Sequence, residues 1–400
     1  MLIVCLLTVP FVKIAGAELQ LGGYYKNFFT AFNPPSTSEP MMGAVVNRLR
    51  FNLSHTPTDL LSLAFAYDFA PRVQDPSLFT ESPFAVGIAS SRYRLIDFDS
   101  RIYPGEDDLI GSVGIYHNID RASVQFSTDF ADISIGRDAI AWGSARIINP
   151  TDIVAPYTYD QLDTEDRVGV DAVRIRIPVG ILGEVDTGYI IGTDFNFNKS
   201  AIFLRTQLNA VETDFSILLL EFQKNLLLGL DIARGIGGAG FWFETAYVFA
   251  EPFDGPNTSE NYLRASVGLD YSFGGETYTF IEYHFNGVGT NRPDNFLANT
   301  TQTAYTQGGV YLLGVHYIAP GFTHQLTPLI SFSGQFLFNL SDPSAWIAPQ
   351  IAYNIAEDVH LSVGGFISIG KRPKNSDLTQ FQSEFGTYPN LFFTSFHVYF

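Results

Sequence analysis

Several long stretches of this chain alternate between apolar and polar residues with a period of two. This alternation is typical of a strand whose two faces meet different surroundings. It recurs in 61–69, 325–336 and 359–370, and less cleanly in 277–285. In 261–273 one face carries Leu263, Ala265, Val267, Leu269, Tyr271 and Phe273, and the other carries Tyr262, Arg264, Ser266, Gly268, Asp270 and Ser272. The pattern predicts an all-β protein.

The length of these segments and the scarcity of charge favour a membrane barrel over a soluble sandwich. The segments run to about 10–13 residues, where soluble strands have about 5–6 and a tilted bilayer crossing needs about 9–11. Charged residues make up 16% of the chain, against about 25% in soluble domains. No uncharged apolar run of about 18 residues follows the N-terminus, so helical spans are not predicted. We therefore expect a transmembrane antiparallel β-barrel.

The connections alternate between long and short, as expected for the two ends of such a barrel. Residues 139–167, 251–260, 288–307 and 371–389 are predicted to be outward loops. Tight turns are predicted at 128–131, 178–181, 235–238, 273–275, 319–324 and 355–358. The count is about 18 strands, with a range of roughly 16–20. Residues 18–400 are predicted to form one barrel domain.

The N-terminus has the features of an export signal. LIVCLLTVPFV (2–12) is apolar but too short to span a bilayer, and the small residues AGA (15–17) precede Glu18. We expect a cleaved signal peptide at 1–17; the alternative is a buried first strand. The only cysteine, Cys5, lies in that segment. Removing Lys13 takes the formal charge from −18 to −19, which disfavours nucleic acid as a partner.

The last ten residues, LFFTSFHVYF (391–400), place Phe392, Phe396, Val398 and Phe400 on one face. This pattern resembles the C-terminal signal of outer-membrane barrels. The resemblance implies recognition of the Phe400 terminus by the barrel-assembly machinery. It also implies a Gram-negative outer-membrane location, with lipid and lipopolysaccharide as partners.

The connection 139–167 is the region most expected to carry function, because structureless connections of this length are uncommon and usually functional. It resembles the part of porin-type barrels where a Gly-Arg strand end precedes an infolded loop, and is also similar to alginate-export-type channels. The matching residues are Gly136, Arg137, Arg146, Arg167, Asp171, Ala172, Val173 and Arg174. The resemblance implies an infolded loop, for which we assign Arg137, Trp142 and Arg146 as anchors. Trp142 is either a packing anchor or a platform for stacking sugars.

Arginines occur three times as pairs two residues apart, so that the two members of a strand pair share a face. On a lipid-facing surface each would cost about 2–4 kcal/mol, so they are predicted to point inward. Opposite them, the connection carries four acids, and together these residues predict a charged, pore-lining constriction. The predicted lining residues are Arg48, Arg50, Arg92, Arg94, Arg174, Arg176, Asp160, Asp163, Glu165 and Asp166.

A structural interpretation of the same residues stays open. The arginines can instead pair with Asp97, Asp99 or Glu244 and stiffen the wall. The acids can belong to a solvated loop or bridge to lipid headgroups through calcium, although DQLDTED (160–166) lacks the spacing of a defined calcium loop. No protein metal site is predicted.

These observations predict a passive, porin-like outer-membrane channel for small hydrophilic solutes, with anions among the candidates. The alternative is a barrel that acts as a scaffold or sheath for a partner protein or for polysaccharide export, without general diffusion. No nucleophile-elbow, zinc-protease, phosphate-loop or dinucleotide motif is present. An enzyme is therefore not expected, and no cofactor is implied. The sequence leaves the solute and the oligomeric state open.

Overall fold

The computed structural model describes residues 18–35, 40–76, 78, 93–96, 100–105, 107–253, 260–373 and 380–400. The predicted signal peptide, with Cys5, lies outside them. The strands are β1 (Glu18–Asn33), β2 (Met42–Thr58), β3 (Leu61–Gln74), β4 (Ser100–Tyr103), β5 (Val113–Ser127), β6 (Asp132–Asp138), β7 (Val170–Val179), β8 (Gly183–Ile190), β9 (Ala201–Ala210), β10 (Thr213–Phe222), β11 (Asn225–Ile236), β12 (Ala239–Phe249), β13 (Tyr262–Phe273), β14 (Thr277–Asn286), β15 (His316–Thr327), β16 (Ile330–Asn339), β17 (Ser344–Ala356), β18 (Val359–Ile369) and β19 (Asn390–Tyr399).

The helical segments are short and lie in the connections. Within the described ranges they include α-helical turns at Phe296–Asn299 and Thr303–Thr306, and 3-10 turns at Thr193–Phe195, Phe197–Lys199, Pro293–Asn295 and Phe385–Thr387. Among the described residues, none of the helices has the length and apolar content that a membrane crossing requires.

The strands form a closed antiparallel ring. β1 pairs with β2 on one side and with β19 on the other, and two hydrogen bonds between Gly23 and Phe400 extend this seam. The four-residue β4 pairs only with β5, which also pairs with β3, so the ring has 18 strands. The predicted barrel and its strand number are confirmed.

The two ends of the ring differ in their connections. At the short-turn end, strands are joined by two to four residues, as at 59–60, 128–131 and 357–358. At the long-loop end lie the connections 139–169, 250–261, 287–315 and 370–389. The predicted turns at 128–131, 178–181, 235–238, 273–275 and 355–358 are confirmed to within a few residues.

The turn predicted at 319–324 is wrong, because β15 continues through Pro320 and Gly321 to Thr327. Pro320 has no backbone N–H to donate, and the pairs between β15 and β16 are missing at residues 319 and 320, although the register is the same on both sides of this gap. A Cβ on Gly321 would lie 2.2 Å from the ring of Phe280. The bare glycine thus lets that ring cover the strand. A Pro-Gly pair is accommodated here inside a strand.

The outward face of the ring is apolar. On β10, for example, Ile217 and Leu219 are exposed, and Leu228 of β11 is exposed beside them. A soluble monomer rarely exposes a continuous apolar band of this kind, whereas a bilayer requires one. The intervening side chains point inward, where Leu218, Leu220 and Phe222 are buried. Part of the interior is therefore an apolar core.

Candidate functional site

The connection between β6 and β7, residues 139–169, enters the ring and contacts both sides of its inner wall. We call it the inner loop. Its first half contacts β9 to β14, and its second half contacts β1, β2 and β19. β1 and β12 lie about half the ring apart in the strand order. The inner loop therefore spans the interior, as predicted for an infolded loop.

Apolar packing holds the first half of the inner loop against the wall. Ile140, Trp142, Ile153 and Val154 are buried in one cluster with Phe203, Leu218, Leu220 and Phe222. The rings of Trp142 and Phe203 are 4.8 Å apart. Each buried apolar side chain of this size contributes about 1.5–3 kcal/mol. Trp142 thus has the packing position expected of an anchor, and its burial leaves no face free for a sugar.

Glu244 of β12 is a buried carboxylate that receives donors from the inner loop. It accepts hydrogen bonds from the Ala145 and Thr151 backbone N–H groups, at 3.0 and 2.8 Å, and from the side chains of Thr151 and Asn149. A Cβ on Gly143, whose φ is +102°, would lie 2.6 Å from the Glu244 oxygens. Glycine at 143 therefore permits the close approach of the loop to this carboxylate.

Glu282 of β14 performs the same function two strands away. Its carboxylate accepts the Arg146 and Ile148 backbone N–H groups at 2.7 and 2.9 Å, and the Trp242 indole N–H at 3.0 Å. A longer contact at 3.4 Å comes from the Ile147 N–H. Glu244 and Glu282 together hold residues 145–151 through their backbone.

The second half of the inner loop is bound by cations of β1 and β2. Lys26 of β1, whose side chain is fully buried, pairs with Asp163 at 2.8 Å and with Glu165 at 2.6 Å. Arg48 of β2 also binds Asp163, at 3.0 Å. Although burial raises the pKa of Asp163, the charges of Lys26 and Arg48 hold it below its usual value. Asp163 is therefore ionised, and its ion pairs with Lys26 and Arg48 fix its position.

These pairs continue as an alternating ladder along the wall. Asp68 binds Arg48 and Arg50, and Asp120 binds Arg50, Arg94 and Arg121. Asp166 receives the Tyr24 hydroxyl at 2.6 Å and lies 3.8 Å from Arg50. We call this set the charge ladder: Lys26, Arg48, Arg50, Arg94, Arg121, Asp68, Asp120, Asp163, Glu165 and Asp166. Its five cations alternate with five acids, and Arg121 also pairs with Asp138 at 3.4 Å, so the cations of the ladder are fully compensated.

The charge ladder changes two details of the predicted constriction. Asp163, Glu165 and Asp166 do not face Arg48 and Arg50 across an open space; they contact that wall directly. Arg94 is buried in the connection before β4 and is not on a strand, and its predicted partner Arg92 lies outside the described residues. Asp97 and Asp99 also lie outside them.

The other predicted residues lie apart from the charge ladder. Arg174 of β7 binds Asp186 through two hydrogen bonds, and Arg176 lies 3.8 Å from Asp132. Asp160 belongs to an aromatic part of the interior, where burial raises its pKa. The neighbouring Tyr159 contacts the rings of Trp346, Phe385 and Tyr388.

Arg137 and Arg146 lie at the two ends of residues 138–145, the segment through which the chain enters the inner loop. Arg137 is buried and binds Asp171 together with the backbone oxygens of Ile96 and Ile119. Arg146 binds Asp270 at 2.9 Å and lies over the Trp242 ring, yet half of its side chain is exposed. Arg137 therefore stabilises the strand end, whereas Arg146 presents a cation inside the ring.

Another buried acid, Glu384, holds the connection 370–389 against β15, β16 and the connection 287–315. It accepts from the Tyr317 hydroxyl at 2.5 Å, the Asn339 side chain at 2.7 Å and the Leu313 N–H at 2.8 Å. Its own N–H donates to Asp342. Burial raises the pKa of Glu384 to about 7 in spite of these donors.

This raised pKa predicts a pH-dependent stability. Because the folded protein holds the proton more tightly than the unfolded chain, the stabilisation is complete below the unfolded pKa of about 4.3 and is lost as pH rises through about 7. We expect this one carboxyl to account for a loss of about 4 kcal/mol of unfolding free energy over this range, at about 1.4 kcal/mol per pKa unit. Glu384→Gln should remove that contribution and make the profile of thermal midpoints less steep. The exposed turn variant Glu357→Gln should keep the wild-type profile, and equal slopes in all three proteins would contradict the assignment.

Six residues that organise the inner loop and the charge ladder were not among the predicted site residues: Lys26, Asp68, Asp120, Arg121, Glu244 (as a loop anchor) and Glu282. For Lys26, Glu244 and Glu282 the sequence carries a signal, namely a single charged residue on the inward face of an otherwise apolar or aromatic strand, as in FWFETAYVF and TYTFIEYHF. Among the described residues, no group of three or more His, Cys, Asp or Glu side chains is arranged to hold a metal ion.

Comparisons with known proteins identify the fold. No family model matches the chain, and no curated protein matches it in sequence. Among solved structures, Pseudomonas aeruginosa OccD3 (OpdP) matches with a TM-score of 0.58 at 10% identity, over 98% of this chain and 95% of that chain. OpdK of the same organism, solved with vanillate, matches with 0.56 at 7% identity (96% and 98%). The outer membrane protein OprD matches with 0.54 at 8% identity (96% and 93%). The alginate-export resemblance finds no support among these matches, and the chain has the fold of the OccD/OprD-type outer-membrane porins.

Proposed function

We propose that the protein is a passive outer-membrane channel through which small hydrophilic solutes diffuse, without a cofactor or an energy source. One observation carries the proposal: a closed 18-strand ring whose inner loop is fastened to opposite sides of the wall. Barrels of this size enclose a lumen wide enough for solutes. A loop fixed across that lumen narrows it while the wall remains intact. The porin-type fold of the matched structures supports this function.

The exposed fraction of each charged side chain separates lining residues from structural ones. Arg146 is 50% exposed and Arg176 is 32% exposed, and Glu165 on the inner loop is similarly open. Arg50 and Arg94 are nearly inaccessible. We infer that Arg146, Arg176 and Glu165 meet passing solutes, and that Arg48, Arg50, Arg94, Asp163 and Asp166 hold the inner loop through their mutual contacts. Arg174 is only 20% exposed and is bound twice to Asp186, so we assign it to the wall. This division combines the two interpretations that the sequence left open.

Small anions, carboxylates among them, are the solute class that we propose. The exposed guanidinium of Arg146 is suited to such groups, since Arg binds carboxylates through paired donors. OpdK, which has the same fold, was solved with the carboxylate vanillate. The signal peptide at 1–17, the use of Phe400 by the assembly machinery and contacts with lipopolysaccharide remain predictions of the sequence.

Single-channel recording of the refolded protein in a planar bilayer under a salt gradient tests the proposal. We expect stable conductance steps and a reversal potential that shows a measurable ion preference. Before recording, a difference in electrophoretic mobility between unheated and heated samples must show that the protein is folded. A folded protein that never conducts would contradict the channel and favour the scaffold alternative. Very large, unselective steps would contradict a lumen narrowed by the inner loop.

A further inference from the structure

His360 of β18 and His397 of β19 are two titratable side chains that the channel proposal does not use. They are directly opposite each other in the pairing of these strands, and His397 is also opposite Lys26 of β1. Side chains that are directly opposite on antiparallel neighbours share a face, with their Cβ atoms about 4.5–5.5 Å apart. Because Lys26 binds the inner loop, both imidazoles lie on the inner face of the ring.

Both histidines are partly exposed and lie close to an acid of the inner loop. The ring of His360, which closely follows the turn 357–358, is 5.5 Å from the ring of Tyr399. The Tyr399 hydroxyl donates to Glu165 at 2.6 Å, and His397 is close enough to Glu165 to feel its charge. The histidines therefore flank a side chain that we assign to contact with passing solutes.

The charged and titratable groups around the two imidazoles come from β1, β19, the inner loop and the β17–β18 turn. They are Lys26, Asp163, Glu165, Glu357, Asp358 and Tyr399. Lys26 already pairs with both acids of the inner loop, and Nδ1 of His360 bonds to the neutral Asn354 side chain at 2.7 Å. Among the described residues, neither histidine takes part in an ion pair. Histidine is also the side chain whose charge ordinarily changes between about pH 5 and pH 8.

Protonation of the pair places three cations next to one another on the inner face. The row across β1, β19 and β18 then consists of Lys26, His397 and His360. The acids that this row faces are already paired with cations of the charge ladder. Each proton that the pair takes up therefore adds a positive charge beside the lumen for which the ladder holds no free acid.

We propose that His360 and His397 determine how the ion preference of the channel depends on pH. At about pH 8 the neutral imidazoles leave the negative charge of Glu165 facing the lumen. At about pH 5 two positive charges lie beside Glu165 and offset it, so that the preference moves toward anions. The inference rests on the proposed channel function and adds to it the residues through which protons act.

Reversal potentials under a salt gradient at about pH 8 and about pH 5 test the proposal. In the wild type, the permeability of chloride relative to potassium should rise several-fold from the higher to the lower pH. The double variant His360→Gln with His397→Gln should lose most of this rise, because glutamine keeps hydrogen-bonding groups but takes up no proton. Each single variant should lose part of it. A double variant with the wild-type rise would overturn the proposal.

The matched control is His316→Gln on β15, a histidine of the outer face that bonds to the Tyr283 hydroxyl. It should keep the wild-type rise. Other interior acids also take up protons in this range, since burial raises the pKa of Glu384 to about 7 and that of Asp152 to about 6. They do so in every variant, so the difference between the variants belongs to the two histidines.

The recordings separate this inference from the channel proposal. A folded wild-type protein that conducts at neither pH contradicts the channel function, and the inference with it. A conducting wild type with the same permeability ratio at both pH values contradicts the inference alone.

A second measurement covers the case in which the double variant does not fold. In protein labelled at its histidines, the NMR titration midpoint of His397 should change in His360→Gln, and that of His360 should change in His397→Gln, because two charges at directly opposite positions interact. Midpoints that do not respond to either single substitution would contradict a coupled pair.

Discussion

Replacing both Glu244 and Glu282 by alanine is expected to release the inner loop and to enlarge the single-channel conductance. The double variant leaves the N–H groups of Ala145, Arg146, Ile148 and Thr151 and the Trp242 indole without their acceptors. Each buried donor left unsatisfied costs about 1–3 kcal/mol. Residues 145–151 are then no longer more stable against the barrel wall than in contact with water. Planar-bilayer recording should show larger steps than the wild type, and trypsin should cut at Arg146.

The matched control is Glu221→Ala on β10, a glutamate whose carboxylate accepts, among the described residues, from the Lys224 N–H of its own hairpin. It should keep the wild-type conductance and the wild-type resistance to trypsin. Each single variant at 244 and 282 should give an intermediate effect, since the two carboxylates hold adjacent parts of one segment. Wild-type conductance in a folded double variant would show that the inner loop does not narrow the lumen.

The second large effect is expected on ion preference. Asp163→Asn, Glu165→Gln and Asp166→Asn together remove three acids from the charge ladder, so that Lys26, Arg48 and Arg50 lose three compensating charges. The amides keep similar shape and some hydrogen bonding. The reversal potential under a salt gradient should therefore move toward anion preference. The shift should be larger at low salt, since the Debye length grows from about 10 Å at 0.1 M to about 30 Å at 0.01 M.

We expect that a change in the overall charge of the protein alone does not produce the same shift in reversal potential. A control with Asp107→Asn, Asp108→Asn and Asp294→Asn removes the same three charges from exposed positions in the connections. Its reversal potential should stay near that of the wild type. If the two triple variants shift equally, the effect arises from the overall charge of the protein, and the charge ladder does not control the preference.

The barrel itself was predictable because the alternation of apolar and polar residues that produces it is visible within each strand of the sequence. A period of two is imposed by the strand backbone, and in 261–273 it marks the lipid-facing residues directly. The inner loop was predictable as an element for a similar reason, since no strand pattern appears between Gly136 and Val170. The misplaced turn at 319–324 shows the limit: Pro320 and Gly321 favour a turn locally, but their pairing with Ile281 and Phe280 of β14 keeps them in a strand.

The contacts of the inner loop were not predictable, because they join residues far apart in the chain. Periodicity places Glu282 on the inward face, but it does not show that the Arg146 and Ile148 N–H groups, 136 and 134 residues away, converge on it. The inward orientation of the apolar residues Leu218, Leu220 and Phe222 could not be predicted for another reason. Both faces of β10 are apolar there, one for lipid and one for the loop, so the strand loses its alternation.

The seam between β1 and β19 sets a condition on how the protein is assembled. Tyr24 pairs with Tyr399, so closing the ring joins segments that are separated by nearly the whole described chain. Until it forms, both strands are edges with unpaired backbone groups, which lipid does not tolerate and which invite pairing with other chains. Insertion and closure must therefore be coupled, or the open edges must be covered by a template until they meet. We therefore expect slow folding, with a risk of aggregation that lasts as long as the ring remains open.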